Sequence, residues 1–245
     1  DCRQIRMRRA LNNALGEDDD EGDGNHRRPT ESKASAGVVV NIVTDPRLNL
    51  IDPHEIAGLF VTDPRYDSNM HGRVGSGGFG DVYKATWHSL PVAVKRLKGV
   101  NTHCSNTLQE LANEAGMLSS LRHPNVVLFL GIVLTHEYCA VVTEFMNGGS
   151  VRDMLDDVQE AAKAGADAGA LAPLSDPIRL LVLRDTARGM VHLHASGVIH
   201  RDMKTQNLLT DHKTRPRAVK VCDFGLCTYK ERFSKKTLTA VGTPQ

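Results

Sequence analysis

The sequence predicts an α+β protein in which a β-rich part comes first and a helical part follows. Three observations predict it. Arg73–Ala85 reads as a hairpin, with strand-forming residues on either side of four glycines. Val126–Leu134 and Tyr138–Thr143 are apolar runs of buried-strand length. Asp176-Pro177 then opens a segment in which Ile178, Leu181, Val182, Met190 and Leu193 recur along one helical face, and Gly197 closes it.

The 245 residues suffice for one large domain or two small lobes. A net charge of +1 argues against a general nucleic-acid binder. Cysteines 2, 104, 139, 222 and 227 are scattered and odd in number, which suits free thiols in a reducing compartment. Cys222 and Cys227 lack the second pair or the histidines of a zinc site. No apolar run reaches the roughly 18 residues of a membrane-spanning helix, and there is no secretory signal. The first residue is Asp, so the chain is expected to start inside a longer product.

Residues 1–65 read as a largely disordered leader. A basic start (Arg3, Arg6, Arg8, Arg9) precedes the acidic run Glu17–Asp23, and neither can bury enough apolar surface to fold alone. Asp19, Glu21, Asp23 and Gly24 resemble the start of a calcium loop, but its closing position is Thr30, not the bidentate Glu such a loop needs. Val38–Val43 is read as a short strand.

Residues 66–146 form the β-rich part. Gly75, Gly77 and Gly80 satisfy G-x-G-x-x-G, a pattern shared by dinucleotide-binding folds. Such a fold needs a helix after the last glycine, whereas Val82–Trp87 and Val92–Lys95 continue as strands. Glycines at these positions let backbone N–H groups approach phosphate oxygens. A helix should follow, with Asn106 or Thr107 as its cap and Leu111, Ala115, Leu118 and Leu121 at helical spacing. It carries Glu110 and Glu114, one turn apart.

Residues 147–245 form the helical part. Ser150 caps a helix expected over Val151 to about Val158, whose Asp153 or Asp157 would lie near the ribose if the protein holds a nucleotide as the resemblance described below implies. Glu160–Ala172 reads as a flexible insertion. Then come His200-Arg201-Asp202-Met203-Lys204-Thr205-Gln206-Asn207 and, 21 residues after Asp202, Asp223-Phe224-Gly225. These supply a carboxylate to orient a hydroxyl, a cation for a moving phosphate, and two oxygen ligands for Mg²⁺.

In this order and spacing the segments resemble the catalytic loop and Asp-Phe-Gly of eukaryotic protein kinases. The likeness covers about Arg73 to Gln245. Leu121–Gly131 is similar to the tyrosine-kinase-like group of Ser/Thr kinases, including Raf-type and mixed-lineage kinases. The resemblance implies a bilobal kinase fold, a β-rich small lobe and an α-helical large lobe that is incomplete, because the chain ends at Gln245 before the expected Ala-Pro-Glu.

It also implies roles. Asp202 would orient the substrate hydroxyl and Lys204 would stabilise the transferred phosphoryl group. Lys95, 15 residues after Gly80, resembles the lysine that contacts the α- and β-phosphates. Glu114, nine residues before His123, is chosen over Glu110 as its ion-pair partner. ATP would meet Val74, Gly75, Ser76, Gly77, Gly78, Phe79, Gly80, Val82, Ala93, Lys95, the gatekeeper Thr143, the hinge residues Glu144 and Met146, and Leu209 with Leu208. Asn207 and Asp223 would hold Mg²⁺. His200 and Phe224 read as packing residues. Arg201 would bind a phosphate on Ser234, Thr237 or Thr239. Thr243 would dock substrate and favour Ser/Thr specificity.

The expected function is ATP-dependent phosphoryl transfer to Ser/Thr hydroxyls of protein substrates in intracellular signalling. A non-catalytic nucleotide-binding or scaffold fragment is the alternative. The expected location is the cytoplasm, with the nucleus as the alternative. No nucleic acid and no transmembrane segment are expected. The resemblance admits a kinase dimer, for which the sequence itself offers no warrant.

Overall fold

The computed structural model describes residues 42–58, 72–77, 80–97, 112, 115–135, 138–165, 175–224 and 228–229. The chain divides into two compact units. The first comprises residues 1–120 and 129–145, the second 121–128 and 146–245.

The first unit is built on one six-stranded antiparallel sheet. Its strands are β1 (Ile56–Ala57), β2 (Arg73–Gly77), β3 (Gly80–Trp87), β4 (Leu90–Leu97), β5 (Phe129–Leu134) and β6 (Cys139–Glu144). The order is β1-β3-β4-β6-β5, and β2 pairs with β3. β3 and β4 are joined by His88 and Ser89, both at positive φ (47° and 66°). Positive φ at both central residues matches the right-handed twist of the flanking strands. Alternation decides what each face does. Ala85, Val92, Val94, Val142 and Ala140 form the core with Ile51, Ile56, Val133 and Tyr138. The Trp87 indole N–H donates to Glu55 at 3.1 Å, which ties β3 to the short 3₁₀ turn Pro53–Glu55.

Two expectations change here. Ile42 and Val43, read as the end of a strand, form a helical turn with Thr44 and are buried. The apolar run from Val126 does not form one strand. β5 begins at Phe129, while residues 121–128 belong to the second unit. Asn125 decides this. Its side-chain N–H donates to the Val219 carbonyl (2.9 Å), and the Val127 amide donates to Val221 (2.9 Å).

Among the described residues the second unit contains α1 (Val151–Lys163), α2 (Asp176–Ala195) and four short strands: β7 (Val198–Ile199), β8 (Leu208–Thr210), β9 (Val219–Val221) and β10 (Thr228–Tyr229). β8 pairs with β9 and β7 with β10. α1 starts with a full capping box. The Asp153 amide donates to Ser150 Oγ (3.1 Å), and the Ser150 amide donates back to Asp153 Oδ2 (2.8 Å). α1 runs five residues past the expected Val158, through Glu160–Lys163. The cap and a face of Val151, Met154 and Val158 stabilise it more than its Ala-rich end weakens it.

α2 begins with Ser175 in the N-cap position and Asp176 in its first turn, one residue earlier than expected. Its most buried residues are Asp185, Gly189 and Leu193, while Ile178, Leu181, Val182 and Met190 are only half-buried. Gly189 is required by close approach, because a Cβ there would meet the Asn125 carbonyl.

Candidate functional site

In the first unit the site residues lie on the sheet face opposite the core. Ala93 and Lys95 are two apart on β4 and share a face. The register sets Val82 against Lys95, and Thr143 against Ala93. Directly opposed residues share a face and have Cβ atoms about 5 Å apart. Val82, Ala93, Lys95 and Thr143 are therefore gathered on one surface, all half-buried. Val74, Gly75 and Ser76 lie exposed on β2, which pairs with β3 through Gly75–Val82 and Ser76–Asp81. Gly77 pairs with Gly80 at the strand ends. Gly78, Phe79 and Glu114 lie outside the described residues.

Gly80 has a reason within the sheet, apart from the expected phosphate approach. A Cβ on it would run into the Arg96 carbonyl of β4. The sheet itself therefore requires glycine at this position. Glu144 ends β6, and the Phe145 amide donates to the Pro91 carbonyl at 3.3 Å.

In the second unit a polar cluster forms around Asp202, which is 7% exposed. Lys204 Nζ sits 2.7 Å from Asp202 Oδ2. The Asn207 side-chain N–H donates to the Asp202 carbonyl (2.7 Å) and to Oδ2 (3.1 Å). One carboxylate oxygen thus receives both a cation and an amide, and the short 3₁₀ turn Thr205–Asn207 brings Asn207 back to Asp202.

His200 orients this loop. It is 1% exposed, its Nε2–H donates to the Cys222 carbonyl (2.9 Å), and its Nδ1 accepts from the Asp202 amide (3.3 Å). An acceptor at Nδ1 and a donor at Nε2 define one neutral tautomer. Burial pushes the His200 pKa below its ordinary value, against the opposing pull of the Cys222 hydrogen bond, Asp223 and Asp202. The ring also packs on Phe224, with centroids 5.5 Å apart.

Asp223 is delivered by β9. The Cys222 amide donates to the Asn207 carbonyl (3.0 Å), so Asp223 follows directly on a residue tied to Asn207. β9 is held by β8 on one side and by residues 125–127 on the other. Arg201 and Asp223 both have left-handed backbones (φ 65° and 64°). For an arginine this is a rare conformation that the surroundings must impose. Leu208 and Leu209 lie on β8, the first buried and the second half-buried, and Met146 is 8% exposed. Ser234, Thr237, Thr239 and Thr243 lie outside the described residues.

Sequence reasoning missed two positioning groups. Asp185, 1% exposed, accepts from the Val219 amide (3.1 Å) and pairs with Arg184 (2.8 Å). It anchors the strand that leads to Asp223. The signal was visible: an Asp on the same helical face as Val182, Gly189 and Leu193. Asn125 is the second, through its bond to the Val219 carbonyl on the same strand. Asp153 and Asp157, one or the other of which is expected near a ribose, both have protein partners. The first closes the capping box and the second pairs with Lys213 at 2.9 Å.

The donors suit a hard cation. Asn207 uses its N–H₂ on Asp202, which leaves its carbonyl oxygen as the ligand atom, and Asp223 adds a carboxylate. Among the described residues no group of three His, Cys, Asp or Glu could hold a metal unaided. Mg²⁺ is commonly held by one or two protein oxygens plus phosphates and water, so this sparse oxygen set fits it.

Comparison with known proteins identifies the family. The chain is 37% identical over 184 residues to the serine/threonine-protein kinase CTR1 of Arabidopsis thaliana, covering 74% of this chain and 21% of that protein. It is 36% identical over 194 residues to the dual specificity protein kinase shkB of Dictyostelium discoideum, covering 79% and 28%. The dual specificity testis-specific protein kinase 1 of Mus musculus is 34% identical over 177 residues, covering 70% and 26%. The chain thus spans about a fifth to a quarter of these relatives' lengths. The family described as protein tyrosine and serine/threonine kinase matches residues 69–243. With the sheet, the Asp202 loop and the β9 strand arranged as above, the chain belongs to the protein tyrosine and serine/threonine kinase family.

Proposed function

We propose that the protein transfers the γ-phosphoryl group of ATP to serine and threonine hydroxyls of protein substrates. The observation that carries this reading is the cluster at Asp202. Its carboxylate is held by Lys204 and Asn207 on one oxygen, and its loop is fixed by neutral His200. Asp202 orients the attacking hydroxyl and accepts its proton. Lys204 offsets the charge on the transferred group. Lys95 contacts the α- and β-phosphates, with Glu114 as its partner, and Val82, Ala93, Thr143 and Leu209 flank the base. Glu144 and Met146 offer hinge backbone to the adenine edge. Asn207 and Asp223 hold Mg²⁺, which supplies neutralisation of phosphate charge when bound.

Ser/Thr preference rests on Lys204 two residues after Asp202 and on relatives named serine/threonine-protein kinases. A signalling role inside the cell, in the cytoplasm, fits the two described cysteines, Cys139 and Cys222, neither of which is in a disulfide. Among the described residues no helix is long and apolar enough to cross a membrane.

The test is phosphate transfer from ATP-Mg²⁺ to a generic Ser/Thr protein, with Asp202→Asn as control. Turnover should fall by at least about a hundredfold while nucleotide binding persists. Nucleotide binding without any turnover in the wild type would replace this reading with a binding or scaffold role.

Regulation follows from Arg201. A guanidinium one residue before Asp202 can take a phosphate bidentately. We propose that phosphorylation of Ser234, Thr237 or Thr239 engages it. Alanine at all three should lower activity several-fold and abolish any gain on preincubation with ATP-Mg²⁺. Unchanged activity would sink the idea.

A further inference from the structure

The β8–β9 hairpin tip, residues 211–218, is rigid and cationic. Its backbone is held by two of its own side chains. Asp211 Oδ1 accepts from the Arg217 and Ala218 amides (2.8 and 3.2 Å), and His212 Nδ1 accepts from the Thr214 and Arg215 amides (both 3.3 Å). Lys213 pairs with Asp157 of α1 at 2.9 Å, which fixes the tip to that helix. Below it, the Gly148 amide donates to the Thr210 carbonyl, and the Thr210 amide donates to Gly149.

On this base stand Arg215 and Arg217, both exposed, on either side of buried Pro216. Neither has an ion-pair partner among the described residues. Three other arginines of this unit do: Arg152 with Asp156, Arg179 with Asp176 and Arg184 with Asp185. His212 is also exposed. Because its Nδ1 is an acceptor, its Nε2 carries a hydrogen and offers a further donor. The nearby carboxylates are already engaged, Asp211 by backbone amides and Asp157 by Lys213.

We propose that this hairpin tip docks an acidic, carboxylate-rich segment of a partner protein. The two guanidiniums are two residues apart along the chain rather than converging from separate elements on one point. That spread suits successive carboxylates of an extended segment better than a single anion. Arginine's planar fork meets a carboxylate through two parallel hydrogen bonds. The side-chain caps hold the loop before binding, so little ordering is lost on association. The surface lies within one unit and uses none of the residues assigned to phosphoryl transfer, so its binding is measurable without turnover.

The experiment titrates the full chain against a fluorescein-labelled peptide of alternating Asp and Glu, read by fluorescence polarisation. A peptide of alternating Asn and Gln is the control. The acidic peptide should bind, the amide peptide should not, and added salt should weaken the complex. Arg215→Glu with Arg217→Glu should weaken it at least about tenfold, at unchanged circular dichroism. Arg215→Ala with Arg217→Ala should weaken it less, in the same direction. Equal affinity of variants and wild type would overturn the proposal, as would absence of binding. It also fails if the chain binds phosphatidylserine vesicles through these arginines and ignores the peptide.

Discussion

His200 shows how a residue with acid-base chemistry can serve geometry instead. Its two nitrogens are occupied by the Cys222 carbonyl and the Asp202 amide, and burial keeps the ring neutral. This leaves Asp202, contacted by Asn207 and Lys204, as the group to which we assign the proton under the proposed function. Gly80 makes a second point at this scale. Its pattern reads as phosphate chemistry, yet the Arg96 carbonyl already excludes a side chain there. Gly80→Ala should therefore destabilise the β3–β4 pair by about 1–3 kcal/mol, as overpacking against backbone does. The urea midpoint of the variant checks this without any nucleotide present. An unchanged midpoint would mean that glycine is kept for ligand approach alone.

Elements were legible where local signals agreed and less so where they competed. The hairpin β2–β3 and the start of α1 were readable because glycines and a Ser-x-x-Asp box act within a few residues. The end of α1 was not, since helix length depends on which face finds cover. Ser150→Ala should cost about 1 kcal/mol by releasing the Asp153 amide, seen as a lower denaturation midpoint and reduced helical ellipticity. The break at residues 121–128 was also hidden. An unbroken apolar run from Val126 looks like one strand, and bonds of Asn125 and Val127 to Val219 and Val221, each 94 positions away, divide it.

For the whole molecule, the two described histidines with shifted pKa values act in the same direction. His123 is lowered by burial, then by His192 and Arg188 nearby, and stacks on the His192 ring at 4.9 Å. His200 is lowered by burial. A histidine whose folded pKa lies below the ordinary 6.5 binds fewer protons folded than unfolded just below that value. Its contribution to stability is complete above about pH 6.5 and is lost as pH falls through the folded pKa. The melting temperature should therefore drop between about pH 7.5 and about pH 5.5, and His200→Gln should flatten the slope. A melting temperature that rises on acidification would contradict the lowering of both histidine pKa values.

The sequence alone determined the family, the strand-rich part followed by helices, and the residue types on which the proposed phosphoryl transfer rests. These are local statements, carried by spacing within Arg73–Ala85, His200–Asn207 and Asp223–Gly225. Tertiary structure decided what holds those residues. The sheet register places Val82 beside Lys95 and Thr143 beside Ala93, and β9 carries Asp223 under the grip of Asp185, Asn125 and Asn207. Such partners lie tens of residues apart in the chain. Their pairing arises because buried backbone amides and carbonyls must find hydrogen bonds, and only the folded chain fixes which ones they find.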